Sequence, residues 1–392
     1  MLRCLVSILL VLFVVSARPS HSQDNWQAEW DRTVKLAEQE SQVVYSGCGS
    51  HDYLKEFQKS FPKIKLTSVA LSCTQLVSRI MAERRAGKYL GDVVRFGLTS
   101  AHTFYRAKVL QPIDQALILP EVKDTSKWWQ NKLQYSDPEG KYLIVPAGSI
   151  YERFASYHSA LASPSDFKSF ADILNPKWKG KIVATDPNTG EGRNGARFLY
   201  HHAELGPKYL RRLLSEMDIT YSRDYRQATD WLAQKRFALY LFSQSDDTLN
   251  AKAQGLPVQV LDTSNWKEAP GLDAIGGAYL LMDKPAHPNA AKILVNWLLS
   301  RDGQIALQRD AENAGSIDSL RTDIPKSDVN PLMRRKDGVK YLEMWNPNWM
   351  NMKPVQELID QVMNEGKKLW RYSPSLHYCN IPICRAPLCT LA

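Results

Sequence analysis

The chain has 392 residues, 44% hydrophobic and 23% charged, with a formal net charge of +9. This is an ordinary globular composition, long enough for two domains. The basic residues are spread out in short clusters (Arg84-Arg85, Arg211-Arg212, Arg334–Lys336), and no nucleic-acid motif accompanies them, so nucleic acid is set aside; the diffuse positive field suits anionic ligands or simple solubility.

The first residues predict export. Arg3 forms a basic n-region, Leu5–Val15 an apolar run, and Ser16 and Ala17 supply small residues. This is the pattern of a secretory signal peptide, too short for a comfortable membrane span, with cleavage after Ala17 or Ser22. Cys4 precedes the apolar run, which disfavours a lipid anchor. A periplasmic, soluble protein is expected.

An amphipathic helix over Trp26–Glu40 comes next. Strand Gln42–Ser46 then turns through "SGCGSHDY" into a helix over Tyr53–Phe61. Strand Lys63–Ala70, helix Thr74–Ala86 closed by Gly87, and strand Asp92–Phe96 complete a βαβαβ run, which implies parallel strands. The first corner is no dinucleotide fingerprint, because Asp52 stands where the third glycine belongs, and no P-loop lysine follows. No nucleotide cofactor is expected.

Residues 136–159 read as a turn and extended pieces in which the chain crosses between domains. The α/β pattern restarts at Lys181 with strand "KIVAT", turn "DPNTGEGRN" and a helix over Gly195–Glu204. A second helix runs to Met217, followed by strand "ITYS", helix Gln227–Gln234, strand "FALYLF", helix Asp247–Gln254 and strand "VQVLD". An apolar strand "AIGGAYLLM" and two helices with Pro288 at an N1 position complete the pattern. Two α/β lobes joined by more than one crossing would enclose a cleft, with ligands at the carboxyl ends of the strands.

After the signal, five cysteines remain: Cys48, Cys73, Cys379, Cys384 and Cys389. C-x-x-C and H-E-x-x-H are both absent, and the C-x4-C-x4-C tail is a weak zinc pattern beside the plainer reading of a Pro-rich appendage, so no metal is expected.

The stretches "VVYSGCGSHDYLKEFQKSFPKIKL", "TQLVSRIMAERRAGKYLGDVV", "KVLQPID", "LNPKWKGKI" and "AHPNAAKILVNWLLSRDGQIALQ" together resemble the solute-binding proteins of bacterial ABC importers. The group they resemble is iron(III)-binding-protein-like, of the type II periplasmic fold. The resemblance covers about residues 40 to 320, and its most specific element is "NPKWKGKI". It implies a two-lobed α/β fold with mixed sheets. Residues 1–22 would be signal, 23–152 lobe 1, 153–263 lobe 2, 264–320 a return to lobe 1, 321–370 C-terminal helices and 371–392 a disordered tail.

By position, the resemblance assigns Ser46, Gly47, Cys48, Ser72, Cys73 and Thr74 to the solute from lobe 1, and Asp186, Thr189, Gly190, Arg193, Gln244, Ser245 and Asp246 from lobe 2. The residues themselves add Thr99, Ser222, Arg223 and, in the crossing segment, Arg153 as candidates. The plainer alternative for Ser46, Ser72 and Thr74 is helix capping. Cys48 and Cys73 sit at equivalent corners of neighbouring strands, as either a disulfide or two buried thiols. Where the iron binders place two adjacent tyrosines, this chain has Ser245 and Asp246, and the histidine of the family's first corner falls on Gly49, with His51 two residues on. The expected function is capture of a small solute by lobe closure, favoured as an anionic or phosphorylated organic molecule. Ferric ion, thiamine or an amine in the same fold, or a sensing receptor subunit, are the alternatives. No G-x-S-x-G elbow, zinc motif or triad signals an enzyme. The expected partners are an inner-membrane permease and its ATPase, with the protein itself a monomer and no cofactor bound.

Overall fold

The computed structural model describes residues 23–371, apart from residues 50, 152–153, 275 and 311–316. The expected signal peptide, Arg153, the tail after residue 371 and the three tail cysteines lie outside the described residues. In chain order, the first stretch comprises α1 (Gln23–Glu40), β1 (Gln42–Gly47), α2 (Leu54–Ser60), β2 (Lys65–Ala70), α3 (Cys73–Arg85), β3 (Val93–Phe96) and α4 (Leu98–Arg106). Short pieces follow: β4 (Leu110–Gln111), α5 (Pro120–Lys123), β5 (Gln134–Tyr135), β6 (Ile144–Val145) and β7 (Ser149–Ile150). Next come β8 (Ala155–His158), β9 (Ile182–Thr185), α6 (Gly190–His201), α7 (Gly206–Glu216), β10 (Thr220–Ser222), α8 (Tyr225–Ala233), β11 (Leu239–Leu241), α9 (Ser245–Ala253) and β12 (Val258–Val260). The last stretch holds β13 (Gly271–Asp273), β14 (Ala278–Met282), α10 (Pro288–Leu299), α11 (Arg301–Gln308), β15 (Leu342–Glu343) and α12 (Lys353–Arg371).

These elements form two compact units. Unit 1 takes residues up to Ser149 and Asp273–Arg335, and unit 2 takes Ile150–Leu272 and the chain from Lys336 onward. The chain therefore passes between units three times, at 149/150, 272/273 and 335/336.

Unit 1 is built on a sheet of strand order β2-β1-β3-β14-β6-β5, with β4 also pairing with β14. β1 runs parallel to both β2 and β3, as the βαβαβ pattern predicts, and β14 is antiparallel to β3. α10 packs on α1 and across β1, β3 and β14, burying Ile293, Leu294 and Trp297. Its first N–H groups are closed by a distant carboxylate: Glu40 accepts from the Asn289 and Ala290 backbone. Unit 2 has the sheet order β10-β9-β11-β8-β12, with β9, β10 and β11 parallel and β8 antiparallel to β11. Its core is aromatic. Phe170 packs edge-on to Phe154 at 4.7 Å and to Trp266 at 4.8 Å, and Phe167 stacks on Trp178 at 5.3 Å. Trp178 of the "NPKWKGKI" turn is thus a core anchor for the strand that follows it.

Several element boundaries differ from the sequence expectation, and α4, directly after β3, was not expected. The strand expected from residue 274 begins at Ala278, because Gly276 and Gly277 hold φ of +87° and +73°, outside strand geometry. The helix expected from Gly195 begins five residues earlier, at Gly190. Residues 321–352 form turns, the short β15 and one 3-10 turn, and a single helix, α12, starts at Lys353. That stretch is held instead by buried charges. Arg321 pairs with Asp323, and Asp318 accepts both Lys326 and Arg335. Asp318 and Arg321 are charges that apolar periodicity does not register.

Candidate functional site

In unit 2, three parallel strands end on one sheet edge, and each turns directly into a helix. β9 leads to α6, β10 to α8 and β11 to α9. Helix starts present N–H groups and partial positive charge, so this edge is where the sheet can hold a small ligand. The three corners are packed tightly. Gly195 lies against the Phe242 ring, and a Cβ on Gly192 would fall 2.6 Å from the Thr185 carbonyl oxygen. Phe242 itself has φ of +56°, a left-handed conformation that is costly for a bulky residue, by about 1–3 kcal/mol. It is held by its own N–H donating to the Phe154 carbonyl at 2.7 Å and by the Thr185 hydroxyl donating to the Phe242 carbonyl at 2.7 Å. Such an over-determined corner positions α9 firmly.

Most of the sequence-predicted residues of unit 2 meet at this edge. Asp186 follows β9 and accepts from the Asn188 N–H at 2.9 Å and from Arg223 Nε at 2.7 Å. Burial alone would raise the Asp186 carboxyl, but Asn188 and Arg223 outweigh it and hold it below the usual range. Arg223 is therefore committed to Asp186 although its side chain is exposed. Arg193 is exposed and donates to the Asn188 carbonyl at 2.6 Å. Thr189 is the N-cap of α6 and donates its hydroxyl to the Asp186 carbonyl at 3.2 Å. Ser222 is buried and donates to the Asp224 carbonyl at 2.9 Å. Gln244 is the N-cap of α9; Ser245 is buried in its first turn and Asp246 is exposed there. Tyr225 was not foreseen. Its phenol oxygen accepts from the Glu191 N–H at 3.2 Å and lies over Gly190, so it partly closes the start of α6.

In unit 1, β1, β2 and β3 end together in the same way. Cys48, after β1, and Cys73, at the start of α3, are joined as a disulfide with Cα atoms 5.2 Å apart. Ser72 is the N-cap of α3 in a reciprocal capping box with Gln75, so its hydroxyl serves the helix. Ser46 is buried within the sheet, whereas Thr74 and Thr99 are exposed in the first turns of α3 and α4. Gly47 packs against the His51 ring, where a Cβ would come within 2.7 Å of Nε2. Arg95, opposite Gly47 on β3, and Tyr279, opposite Arg95 on β14, were also not foreseen. A signal existed for Arg95: a charge inside the apolar run "VVRF".

His51 contacts the Ser68 hydroxyl through Nδ1, and burial together with the Arg95 charge pushes its imidazole down to about 4. The folded state therefore favours neutral His51, and between about pH 6.5 and 4 the unfolded chain binds the extra proton. Stability present above pH 6.5 should be lost as pH falls through this window, by about 1–2 kcal/mol after allowing for solvent screening. Melting temperature against pH should fall less steeply for His51→Gln than for the parent. Parallel acid limbs in the two proteins would remove His51 as the cause.

Among the described residues, no group of three or more His, Cys, Asp or Glu side chains is placed to hold a metal ion, and no helix is long and apolar enough to cross a membrane.

Residues 142–310 match the family described as bacterial extracellular solute-binding protein. No match is found among curated proteins. Among solved structures, apo FutA2 from Synechocystis PCC6803 superposes with a TM-score of 0.62 at 14% identity, covering 82% of this chain and 98% of that one. The Bordetella ferric binding protein gives 0.61 at 14% identity, over 82% and 99%. Trichodesmium FutA in complex with iron and citrate gives 0.58 at 15% identity, over 83% and 98%. The chain resembles the bacterial extracellular solute-binding proteins and has the type II periplasmic binding fold.

Proposed function

We propose that the protein is the periplasmic solute-binding component of an ABC transporter, capturing a small anionic or phosphorylated organic solute for delivery to an inner-membrane permease. The observation that carries this reading is the carboxyl edge of unit 2. There α6 and α9 begin at the ends of adjacent strands, and neither is closed by the side chain of its own N-cap residue. By contrast, α8 is capped by Asp224 and α3 by Ser72. A helix start favours negative charge by about 0.3–1 kcal/mol, and at α6 the Tyr225 hydroxyl already accepts from the Glu191 N–H. The Cys48–Cys73 bond suits an oxidising compartment and so supports export.

One observation favours a second reading, a zwitterion held at both ends. Asp246 and Asp247 lie together in the first turn of α9, and the Asp247 carboxyl is raised by burial and by its neighbours Asp246, Asp224 and Asp230 against Arg226. A cationic amine would relieve that crowding.

A thermal-shift screen separates these readings. Glucose 6-phosphate, methylphosphonate, citrate, 2-aminoethylphosphonate, putrescine and thiamine would each be added, with ferric citrate read separately by visible absorption. A solute at 100 times its Kd stabilises by about 2.7 kcal/mol, a shift of several degrees. An organic anion should give it. A shift confined to putrescine and thiamine would replace the anion with a cation, and a strong visible band would put ferric ion in its place.

A further inference from the structure

Beneath the first corner of unit 1 lies a polar cluster that the corner residues themselves do not explain. Tyr45 and Gly47 on β1, Arg95 on β3 and Tyr279 on β14 share one face of the sheet, Gly47 opposite Arg95 and Arg95 opposite Tyr279 in register. The corner after β1 adds His51 and Tyr53. The Tyr45 and Tyr53 hydroxyls are 2.7 Å apart, and the Arg95 guanidinium lies 5.7 Å from the Tyr53 ring centre. Arg95 is only 5% exposed, and its Nε donates to the Gly276 carbonyl.

A buried cation ordinarily has an acid beside it. Among the described residues, no carboxylate forms an ion pair with Arg95; Asp310 acts on His51 and Tyr279 from farther off. Burial works against the Arg95 charge, and the oxygens of Tyr53, Tyr45 and Tyr279 around it work the other way, so the guanidinium stays protonated. Burial, and then Tyr53, raise the Tyr279 hydroxyl far above its ordinary range, so it remains a neutral donor. Tyr279 is 1% exposed, and its hydroxyl has no partner at hydrogen-bond distance among the described residues. The cluster thus collects one fixed positive charge and several O–H donors.

A groove of about 620 Å³ runs between α2 and α11, lined by residues including Tyr53, Lys55, Trp297, Ile305, Arg309 and Asp310. Its lining carries Lys55, Lys59 and Arg309 together with the carboxylates of Asp52, Glu56, Asp302 and Asp310, and the three cations are paired, Lys55 to Asp52, Lys59 to Glu56 and Arg309 to Asp328. Tyr53 lines the groove and belongs to the cluster, whereas Arg95 and Tyr279 lie buried behind it and do not line the groove themselves.

We propose that Arg95, with the hydroxyls of Tyr53 and Tyr279, forms an oxyanion-binding site reached through this groove, taking the carboxylate or phosphate group of a small solute. The guanidinium fork matches the two oxygens of such a group, and the phenols add donors to the remaining lone pairs. The inference rests on the reading of the protein as a binder of anionic solutes and names the residues that would recognise the charge.

The test is isothermal titration of the full-length protein with whichever of glucose 6-phosphate, methylphosphonate and citrate gives the largest thermal shift. Arg95→Met should weaken binding about 30-fold, and Tyr279→Phe about 3- to 10-fold with its melting temperature within a few degrees of the parent. If Arg95→Met does not fold, Tyr279→Phe, which deletes one oxygen, decides alone. Parent-like affinity in the folded variants would overturn this site while leaving the anion-binding function standing. Failure of the unmodified protein to bind any of the three anions would overturn both.

Discussion

Replacing Gly192 with alanine is expected to cost unit 2 about 3 kcal/mol, lowering its melting temperature by about 6–12 °C. Gly192 lies in the first turn of α6, where the helix rests on the backbone of the Thr185–Asp186 corner. An added Cβ would fall 2.6 Å from both the Thr185 carbonyl oxygen and the Asp186 carbonyl carbon. Both are main-chain atoms, held by β9 pairing and by the Asp186 N–H to Ser222 carbonyl bond at 2.9 Å, so neither can turn aside as a side chain could. Relief requires α6 to lift away from the corner, which would also move Gly195 off Phe242 and misplace the N–H groups proposed for the solute. Affinity should therefore fall together with stability. Gly91→Ala, which meets no atom within 4 Å, should stay within about 0.5 kcal/mol of the parent. Thermal denaturation of both variants checks the argument, and a drop below about 2 °C for Gly192→Ala would mean that the corner is softer than its contacts imply.

The same helix shows where the sequence was legible and where it was not. The stretch "DPNTGEGRN" reads as a turn because glycine punctuates loops, and so the helix was expected only from Gly195. In the folded unit, Gly192 and Gly195 instead allow a helix to approach backbone and an aromatic ring more closely than any side chain would permit. Glycine for close approach and glycine for flexibility look identical in one sequence. Five of the six strand-to-helix corners were readable, because Ser, Gly, Asp and Thr mark helix starts and the apolar runs between them mark strands, but the turn from β3 into α4 was not expected. Which of those polar groups remain for a ligand was not readable, since Ser72 is taken by Gln75, Arg223 by Asp186 and Arg193 by the Asn188 carbonyl. The Ser72 cap follows the Ser-x-x-Gln spacing, whereas the two arginine pairings depend on local backbone geometry rather than on spacing. Arg95 was missed for a different reason: strand periodicity assigns a face, and only the packing of Tyr53 and Tyr279 shows that the face is closed.

The covalent bond under the same corner carries the second large effect. Cys48 and Cys73 are 25 residues apart, and closing a loop of that length removes enough unfolded-state entropy to stabilise the fold by about 3 kcal/mol. The bond also acts locally. It ties the end of β1 to the first residue of α3, next to Gly47 and within 4.0 Å of the Arg95 carbonyl through the Cys48 sulfur. The expected result for the double variant Cys48→Ala/Cys73→Ala is a lower denaturation midpoint for unit 1, with a denaturant slope equal to or somewhat above the parent's, because the unfolded chain without the crosslink is less compact. Reduction of the unmodified protein should produce the same loss, and reduction of the double variant should produce none. Affinity gives the functional half of the test. If the bond holds the corner in place over the Tyr53–Arg95 cluster, the double variant should bind the anionic solute several-fold more weakly even at temperatures far below its melting point. Stability lost with affinity unchanged would confine the disulfide to the fold. A change below about 1 kcal/mol in both reduced and double-variant proteins would show that the corner is already fixed by β1 pairing with β2 and β3, whose register runs through Gly47 on both sides.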